Sequence, residues 1–155
     1  MPRDRLTGLG SWGRENAQMS RAEEDLNRRM LRARDAMDLS YAEPLDIPRL
    51  AAIAHVSRAH FIRSFRATFG ETPHRYLQRR RVERAMYLLA YTRRDITDIC
   101  LEVGFTSLGT FSRTFGEIVG EPPSSFRAHA KPLPVPNCFA MAWLRPSTFG
   151  EARTG

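Results

Sequence analysis

Residues 95–126 read DITDICLEVGFTSLGTFSRTFGEIVGEPPSSF, and this stretch decides the fold because an earlier part of the chain repeats its pattern. The earlier stretch, residues 46–77, reads DIPRLAAIAHVSRAHFIRSFRATFGETPHRYL. The offset between the copies is 49 residues before an internal turn and 50 after it, so that Ser57 corresponds to Ser107. Agreement at this many positions indicates a duplicated structural unit.

Each copy predicts two short helices joined by a tight turn. Asp46 and Asp95 are the expected N-caps of the first helices, because an Asp side chain can accept a hydrogen bond from an unpaired amide of the first turn. Ser57 and Ser107 are the expected N-caps of the second helices. Two helices joined in this way, the second capped and amphipathic, form a helix-turn-helix. Two tandem copies are a far more specific pattern than one.

The second helix of each copy has a continuous apolar face. Its members recur at helical spacing: Phe61, Phe65, Phe69, Phe111, Phe115 and Ile118. We assign Phe61, Phe65, Phe111 and Phe115 to the hydrophobic core rather than to base stacking. The turn before the helix is expected to need a positive φ, which Gly104 supplies in the second copy and His55 must adopt in the first.

The segment 72–90 predicts one long helix linking the two copies. No helix breaker occurs between Pro73 and Leu89, and this run would form a rod of about 26 Å. A rod of that scale could hold two recognition helices near one DNA turn apart, about 34 Å, on one face of a duplex. A monomer could then read two neighbouring half-sites.

Three consecutive arginines in the linking segment allow more than one interpretation. Arg81 is expected to turn inward toward a carboxylate. For Arg79 and Arg80, a solvated helix face and contact with phosphates are equally consistent with the sequence.

The duplication lies inside an expected helical domain at 19–129, with the first helix-turn-helix at 46–69 and the second at 95–118. Residues 1–18 carry three glycines, mixed charge and no apolar periodicity. We expect a flexible leader there, or an extension upstream of a start at Met19.

The domain is expected to open with an amphipathic helix. Ser20 and Glu23 form a capping box that predicts where this helix starts. One apolar stripe follows at helical spacing: Leu26, Met30, Ala33 and Met37.

Residues 130–155 are expected to form a proline-rich linker and a C-terminal tail. The tail carries Phe139, Trp143 and Phe149. It is either a flexible tail or a segment that docks on the domain or on a partner, with Trp143 as the anchor. This much apolar area favours docking.

The composition is strongly basic. The formal net charge is +7 and the pI is about 10.4. All 24 basic residues except Lys131 are arginines, which a GC-rich genome could partly explain. A polyanion partner, nucleic acid above all, is the favoured explanation of a pI this high.

Other classes of function find no support in the sequence. Cys100 and Cys138 form no metal-ligand or disulfide pattern, so we expect reduced thiols, no metal and no cofactor. No nucleophile with an adjacent base and no phosphate-binding glycine loop occurs, so we expect no enzyme. No apolar run approaches the length of a membrane span. We therefore expect a cytoplasmic, nucleoid-associated protein with no membrane contact.

The chain resembles the DNA-binding domain of the AraC/XylS family of bacterial transcription regulators over about residues 22–128. The motifs that carry the resemblance are YLQRRRVERAMYLL at 76–89, DICLEVGF at 98–105 and FSRTFGEIVGEPPSSFR at 111–127. It implies an all-α fold of about seven helices with two helix-turn-helix subdomains joined by a long linker helix. It also implies two recognition helices, about 58–68 and 108–118, in successive major grooves of double-stranded DNA.

The resemblance implies further partners and a mode of action. Members regulate transcription initiation near RNA polymerase, which becomes a second expected partner. We expect no small-molecule effector domain in a chain of this length, which resembles the stand-alone DNA-binding members of the family, and we expect a monomer.

Site residues follow from the resemblance position by position. Expected base-facing or flanking residues are Arg58, Ala59, Ile62, Arg63, Arg66, Leu108, Gly109, Thr110 and Arg113. Expected phosphate contacts are Ser57, His60, Ser107 and Ser112. Leu108 could instead pack on a neighbouring helix, and the arginines could contact phosphates without reading bases. The alternative function is a protein-interaction module that binds another regulator or RNA polymerase.

Overall fold

The computed structural model describes residues 9–131, with side chains from Ser20 onward. This part of the chain contains no strand and seven helices: α1 Leu9–Leu39, α2 Ile47–Ile53, α3 Arg58–Phe69, α4 Pro73–Tyr91, α5 Ile96–Glu102, α6 Leu108–Val119 and α7 Pro123–His129. The predicted all-α class and the seven helices are confirmed. The predictions for Cys138 and for the aromatic tail lie outside the described residues.

The duplicated sequence forms two helix-turn-helix units, α2–α3 and α5–α6. Asp46 accepts a hydrogen bond from the Arg49 amide at 2.9 Å, which confirms this N-cap. Asp95 stands at the N-cap of α5, but its side chain accepts no capping hydrogen bond, so that detail of the prediction is wrong. The backbone at Asp95 (φ −62°, ψ 145°) differs from that at Asp46 (φ −110°, ψ 85°), and the carboxylate is not presented to the first turn.

Helix α1 starts earlier than its capping box predicts. It begins at Leu9, so Ser20 lies inside the helix and does not cap it. The helix therefore extends into the segment expected to be a flexible leader. Residues 15–19 read ENAQM, all but the Asn good helix formers, and they contain no breaker that would stop the helix at Ser20.

Two hydrophobic cores lie along α4, one for each helix-turn-helix. The first includes the α1 stripe, Phe61 and Phe65, and it takes Tyr76 and Leu77 from α4. The second takes its α4 residues from the stretch 82–89. Its members are Val82, Ala85, Leu88, Leu89, Ile99, Cys100, Val103, Phe105, Phe111 and Phe115. The core assignment of the recognition-helix phenylalanines is confirmed, and burying each stabilises the fold by about 1.5–3 kcal/mol.

The two turns adopt the positive φ predicted for them, but only one of them is tightly packed. His55 has φ 53° and Gly104 has φ 93°. A Cβ placed on Gly104 would lie 2.8 Å from the Ala42 Cα, in the connection between α1 and α2. The second turn thus packs directly against the first subdomain, which explains why glycine stands there.

Arg81 joins the two subdomains at the same place. Its Nε donates to the Tyr41 carbonyl at 2.7 Å, and its Nη2 donates to the Glu43 carbonyl at 2.7 Å. Its guanidinium also lies 5.7 Å from the centre of the Phe105 ring in the second subdomain. The inward orientation of Arg81 was predicted, but its expected carboxylate partner is wrong: the connection after α1 offers backbone carbonyls within reach.

The other two arginines of the run belong to an ion-pair network on α4. Arg79 pairs with Glu71 at 2.7 Å and with Glu83 at 2.5 Å. Arg80 pairs with Asp38 of α1 at 2.9 Å and with Glu83 at 2.7 Å. The sequence left open a solvated face or contact with phosphates. The structure supports neither interpretation, because carboxylates already neutralise the charges of both arginines.

Tyr76 completes this network from the core side. It is buried and donates its hydroxyl to Asp38 at 2.8 Å. Burial raises the pKa of Tyr76 well above its ordinary value, and the hydrogen bond to the Asp38 carboxylate raises this pKa further. The phenol therefore stays protonated in the folded protein.

We expect Gly104→Ala to reduce the free energy of unfolding by about 3 kcal/mol, because the new methyl group meets both an unfavourable φ and the Ala42 backbone. Gly70→Ala is the matched control, since Gly70 also has a positive φ but open space around it. It should cost only about 1–2 kcal/mol. Urea unfolding followed by circular dichroism measures the free energy of unfolding of both variants. Equal losses in Gly104→Ala and Gly70→Ala would show that contact with Ala42 adds no cost.

Because of Tyr76, the free energy of unfolding should depend on pH in the alkaline range. The unfolded chain releases the Tyr76 proton near pH 10 and the folded chain does not, so the free energy of unfolding should fall above about pH 10, by at most about 1.4 kcal/mol per pH unit. Tyr76→Phe should be less stable than the wild type by about 1 kcal/mol near neutral pH, and this difference should shrink above about pH 10. Tyr87→Phe controls for loss of a phenol from the same helix. A wild-type advantage unchanged between about pH 8 and about pH 11 would contradict the prediction.

Candidate nucleic-acid interface

Helix α3 presents the predicted site residues to solvent. Phe61, Ser64 and Phe65 bury its inner face, which fixes the opposite face outward. The exposed residues on that face are Arg58, Ala59, His60, Ile62, Arg63 and Arg66. The guanidinium groups of the three arginines make no hydrogen bond or ion pair within the described part of the chain. No described residue therefore competes with an external partner for these groups.

Helix α6 repeats this arrangement with a less polar outer face. Phe111, Thr114 and Phe115 are buried. The exposed residues at its start and first turns are Leu108, Gly109, Thr110 and Arg113, while Ser112 is half-buried. Leu108 keeps 43% of its surface exposed. No atom would lie within 4 Å of a Cβ on Gly109, so the space in front of this helix start is open.

Both recognition helices begin with a serine cap. Ser57 accepts from the His60 amide at 3.3 Å, and Ser107 accepts from the Thr110 amide at 3.2 Å, as predicted. Ser107 also donates to the Thr110 side-chain oxygen at 2.9 Å, which leaves the Thr110 hydroxyl hydrogen available to an outside acceptor. The serine oxygens are thus used in capping, and only a hydroxyl hydrogen of Ser57 remains for a phosphate.

A cleft of about 700 Å³ lies beside the second recognition helix, between α4, the α1–α2 connection and α5–α6. Its polar lining includes His74, Gln78, Arg81, Thr110 and Arg113, and none of the described residues adds a carboxylate to it. Burial lowers the pKa of Arg81 somewhat from its very high ordinary value. Because its hydrogen-bond partners are neutral carbonyls, this cation adds an uncompensated positive charge to the cleft.

His74 and Gln78 are residues that the sequence did not identify. They lie one helical turn apart on α4, and only the packing of the two subdomains places them beside Arg113. A second link between these elements is Arg75, which lies 3.9 Å from Glu117 of α6. The position of α4 against α6 therefore decides which linker residues border the recognition surface.

Within the described residues, other kinds of site are not found. No group of three or more His, Cys, Asp or Glu side chains there could hold a metal ion. None of the described helices combines the length and the apolar character needed to cross a membrane. Cys100 occupies a buried core position, and burial raises the pKa of its thiol.

In a comparison with known proteins, residues 50–129 of the chain match the model of a helix-turn-helix domain family. An uncharacterised HTH-type transcriptional regulator of Staphylococcus aureus (strain COL) is 33% identical over 93 residues, which cover 60% of this chain and 12% of the relative. One of Haemophilus influenzae is 37% identical over 81 residues, covering 52% of this chain and 27% of the relative. The chain thus spans only a small part of the length of these relatives.

Solved structures extend the comparison. A transcriptional regulator with an AraC-type DNA-binding domain from Chromobacterium violaceum is 31% identical, with a TM-score of 0.63 over 66% of this chain and 92% of that one. The DNA-binding domain of AdpA, a global transcriptional factor solved in complex with a target DNA, is 28% identical. Its TM-score is 0.60 over 64% of this chain and 89% of that one.

The N-cap of α6 can be tested by substitution of Ser107. Ser107→Ala should lower the free energy of unfolding by about 1 kcal/mol, because the Thr110 amide loses its partner. Ser107→Asp should retain most of the stability, since a carboxylate can accept the same bond. Ser112→Ala, in the same helix but away from its cap, is the control and should change stability little. Chemical denaturation of the three variants measures their free energies of unfolding. If Ser107→Ala is as stable as the wild type, Ser107 does not stabilise the helix as a cap.

Proposed function

This chain belongs to the AraC-type helix-turn-helix family of transcription regulators, and we propose that it binds specific double-stranded DNA sequences through α3 and α6. Members of the family are DNA-binding regulators rather than enzymes. The observation that carries the proposal is the pair Arg63 and Arg113. These arginines hold equivalent places in the duplicated helices, both are exposed, and neither has a partner in the described part of the chain.

The side chains on the two outer faces suit the major groove. An arginine can donate two hydrogen bonds to O6 and N7 of guanine, and one such pair contributes about 1–3 kcal/mol of discrimination. Leu108 and Ile62 are exposed aliphatic side chains that can contact thymine methyl groups. Gly109 would let the start of α6 approach the bases closely.

The linker supports recognition of two half-sites by one chain. Helix α4 has 19 residues, which corresponds to about 28 Å. This is near the spacing of about 34 Å between successive major grooves on one face of DNA. Binding as a monomer, with one recognition helix in each groove, follows as part of the proposal. The AdpA domain, which shares this fold and has been solved with target DNA, supports duplex DNA as the partner.

A protein-interaction module is the second candidate function. Leu101 on α5 is 58% exposed and Leu108 is 43% exposed, so the second subdomain offers apolar surface to a partner such as RNA polymerase. Salt separates the two candidates. DNA binding through several phosphates should weaken by orders of magnitude between about 50 and 200 mM salt, whereas an apolar protein interface should not.

Selection from a randomised pool of duplex DNA, followed by footprinting, tests the proposed function. We expect an enriched site with two short motifs about one helical turn apart. Arg63→Ala should abolish the preference for one motif and Arg113→Ala the preference for the other, each with a loss of about 10- to 100-fold in affinity.

Arg32→Ala is the control for removing one charge, since Arg32 is an exposed arginine of α1 outside both helix-turn-helix units. It should leave both motifs unchanged. If no sequence is enriched and binding is weak and equally sensitive to salt on every duplex, specific DNA recognition is excluded.

A further inference from the structure

The two helix-turn-helix units carry opposite charge. Residues 46–69 contain four arginines and one acidic residue, for a formal charge of +3. Residues 95–118 contain four acidic residues and one arginine, for a formal charge of −3. The duplication preserved the fold of the unit and reversed its electrostatics.

In the first unit the positive charges are available at the surface. Arg58, Arg63 and Arg66 lie on the exposed face of α3 and have no partner among the described residues. Arg49 lies 3.9 Å from Glu43, a loose pair between two exposed side chains. This unit can therefore neutralise several phosphates.

In the second unit the negative charges are also at the surface. Asp95 and Asp98 are exposed at the start of α5. Glu117 is exposed on α6, and its nearest cation is Arg75 at 3.9 Å. Glu102 is paired with Arg94, which precedes the unit. Arg113 is thus the sole basic residue that this unit can offer to DNA.

Phosphate neutralisation dominates DNA affinity and makes it dependent on salt. Each phosphate that a cation neutralises releases counterions and adds about 0.9 to the slope of log affinity against log salt. The first unit can contribute several such contacts. The second can contribute about one, and its carboxylates oppose the approach of the duplex.

We infer that the first helix-turn-helix supplies nearly all of the electrostatic affinity for DNA, and that the second adds base discrimination with almost no counterion release. This division of roles rests on the proposed function. The second unit would discriminate through Arg113, Leu108 and Thr110, after α3 has anchored the protein. The operator should consequently consist of a strong half-site and a weak half-site in a fixed order.

The test uses the full chain and four duplexes: both half-sites intact, either half-site scrambled, and both scrambled. The half-site whose recognition is lost in Arg63→Ala is defined as the first. Scrambling the second half should weaken binding about 10- to 100-fold and leave the salt slope unchanged within about one unit. Scrambling the first should weaken binding by a larger factor and lower the salt slope by several units, because α3 then loses its fixed contacts with phosphates.

Two outcomes overturn the inference and one overturns the proposed function as well. A duplex with only the second half-site that binds as tightly as one with only the first contradicts the division of roles. The division of roles is also contradicted if scrambling the second half-site lowers the slope of log affinity against log salt to about half of its value. If no duplex is preferred over the fully scrambled one, specific DNA binding itself fails.

Charge variants test the same inference independently of the half-sites. The double variant Asp98→Asn, Glu117→Gln should bind every duplex several-fold more tightly and with a steeper salt slope, because the repulsion is removed. Glu24→Gln, an exposed carboxylate of α1, is the control. The double variant Arg58→Ala, Arg66→Ala should lower the slope by about two. Circular dichroism confirms folding, and a second-unit variant no different from Glu24→Gln would overturn the inference.

Discussion

The structure depends on the joint where the connection after α1 meets the linker helix and the second turn. Arg81 donates to two carbonyls of this connection while its guanidinium lies against Phe105 of the other subdomain. Gly104 packs on the Ala42 backbone at the same point. A guanidinium has several donors in a fixed plane, so it can bind two carbonyls and still face an aromatic ring. This joint links the two subdomains directly, in addition to the packing of each on α4.

The same joint explains how two copies of one unit came to differ. His55 holds the positive φ of the first turn, because histidine tolerates this region better than most residues, and its side chain is exposed. Gly104 holds the equivalent place in a turn that must pack on another backbone. The outer faces diverged further, toward arginines on α3 and toward small and apolar residues on α6. Core positions of the duplicated helices kept their phenylalanines, since burial constrains size and shape while the surface is free to change charge.

The chain has a net charge of +7, but only some of its cationic side chains are available to bind a polyanion. The arginines of the α4 run are engaged by carboxylates or by carbonyls, so they stabilise the fold rather than the complex. The arginines of α3 and Arg113 have no such partners within the described residues. The candidate interface is therefore defined by unpaired cations on two helix faces, and a count of basic residues alone would overstate it.

The sequence by itself determined the duplication, the helix-turn-helix units, the serine caps and the buried phenylalanines, because these depend on local spacing and on short-range hydrogen bonds. The family resemblance identified the recognition-helix residues, and the structure exposes all of them except Ser112, which is half-buried. Only the tertiary structure decided the partners of Arg79, Arg80 and Arg81. It also decided that His74 and Gln78 border the second recognition helix. Such partners lie far apart along the chain, and a side chain as long as arginine can reach several of them, so their choice is made by packing and not by sequence spacing.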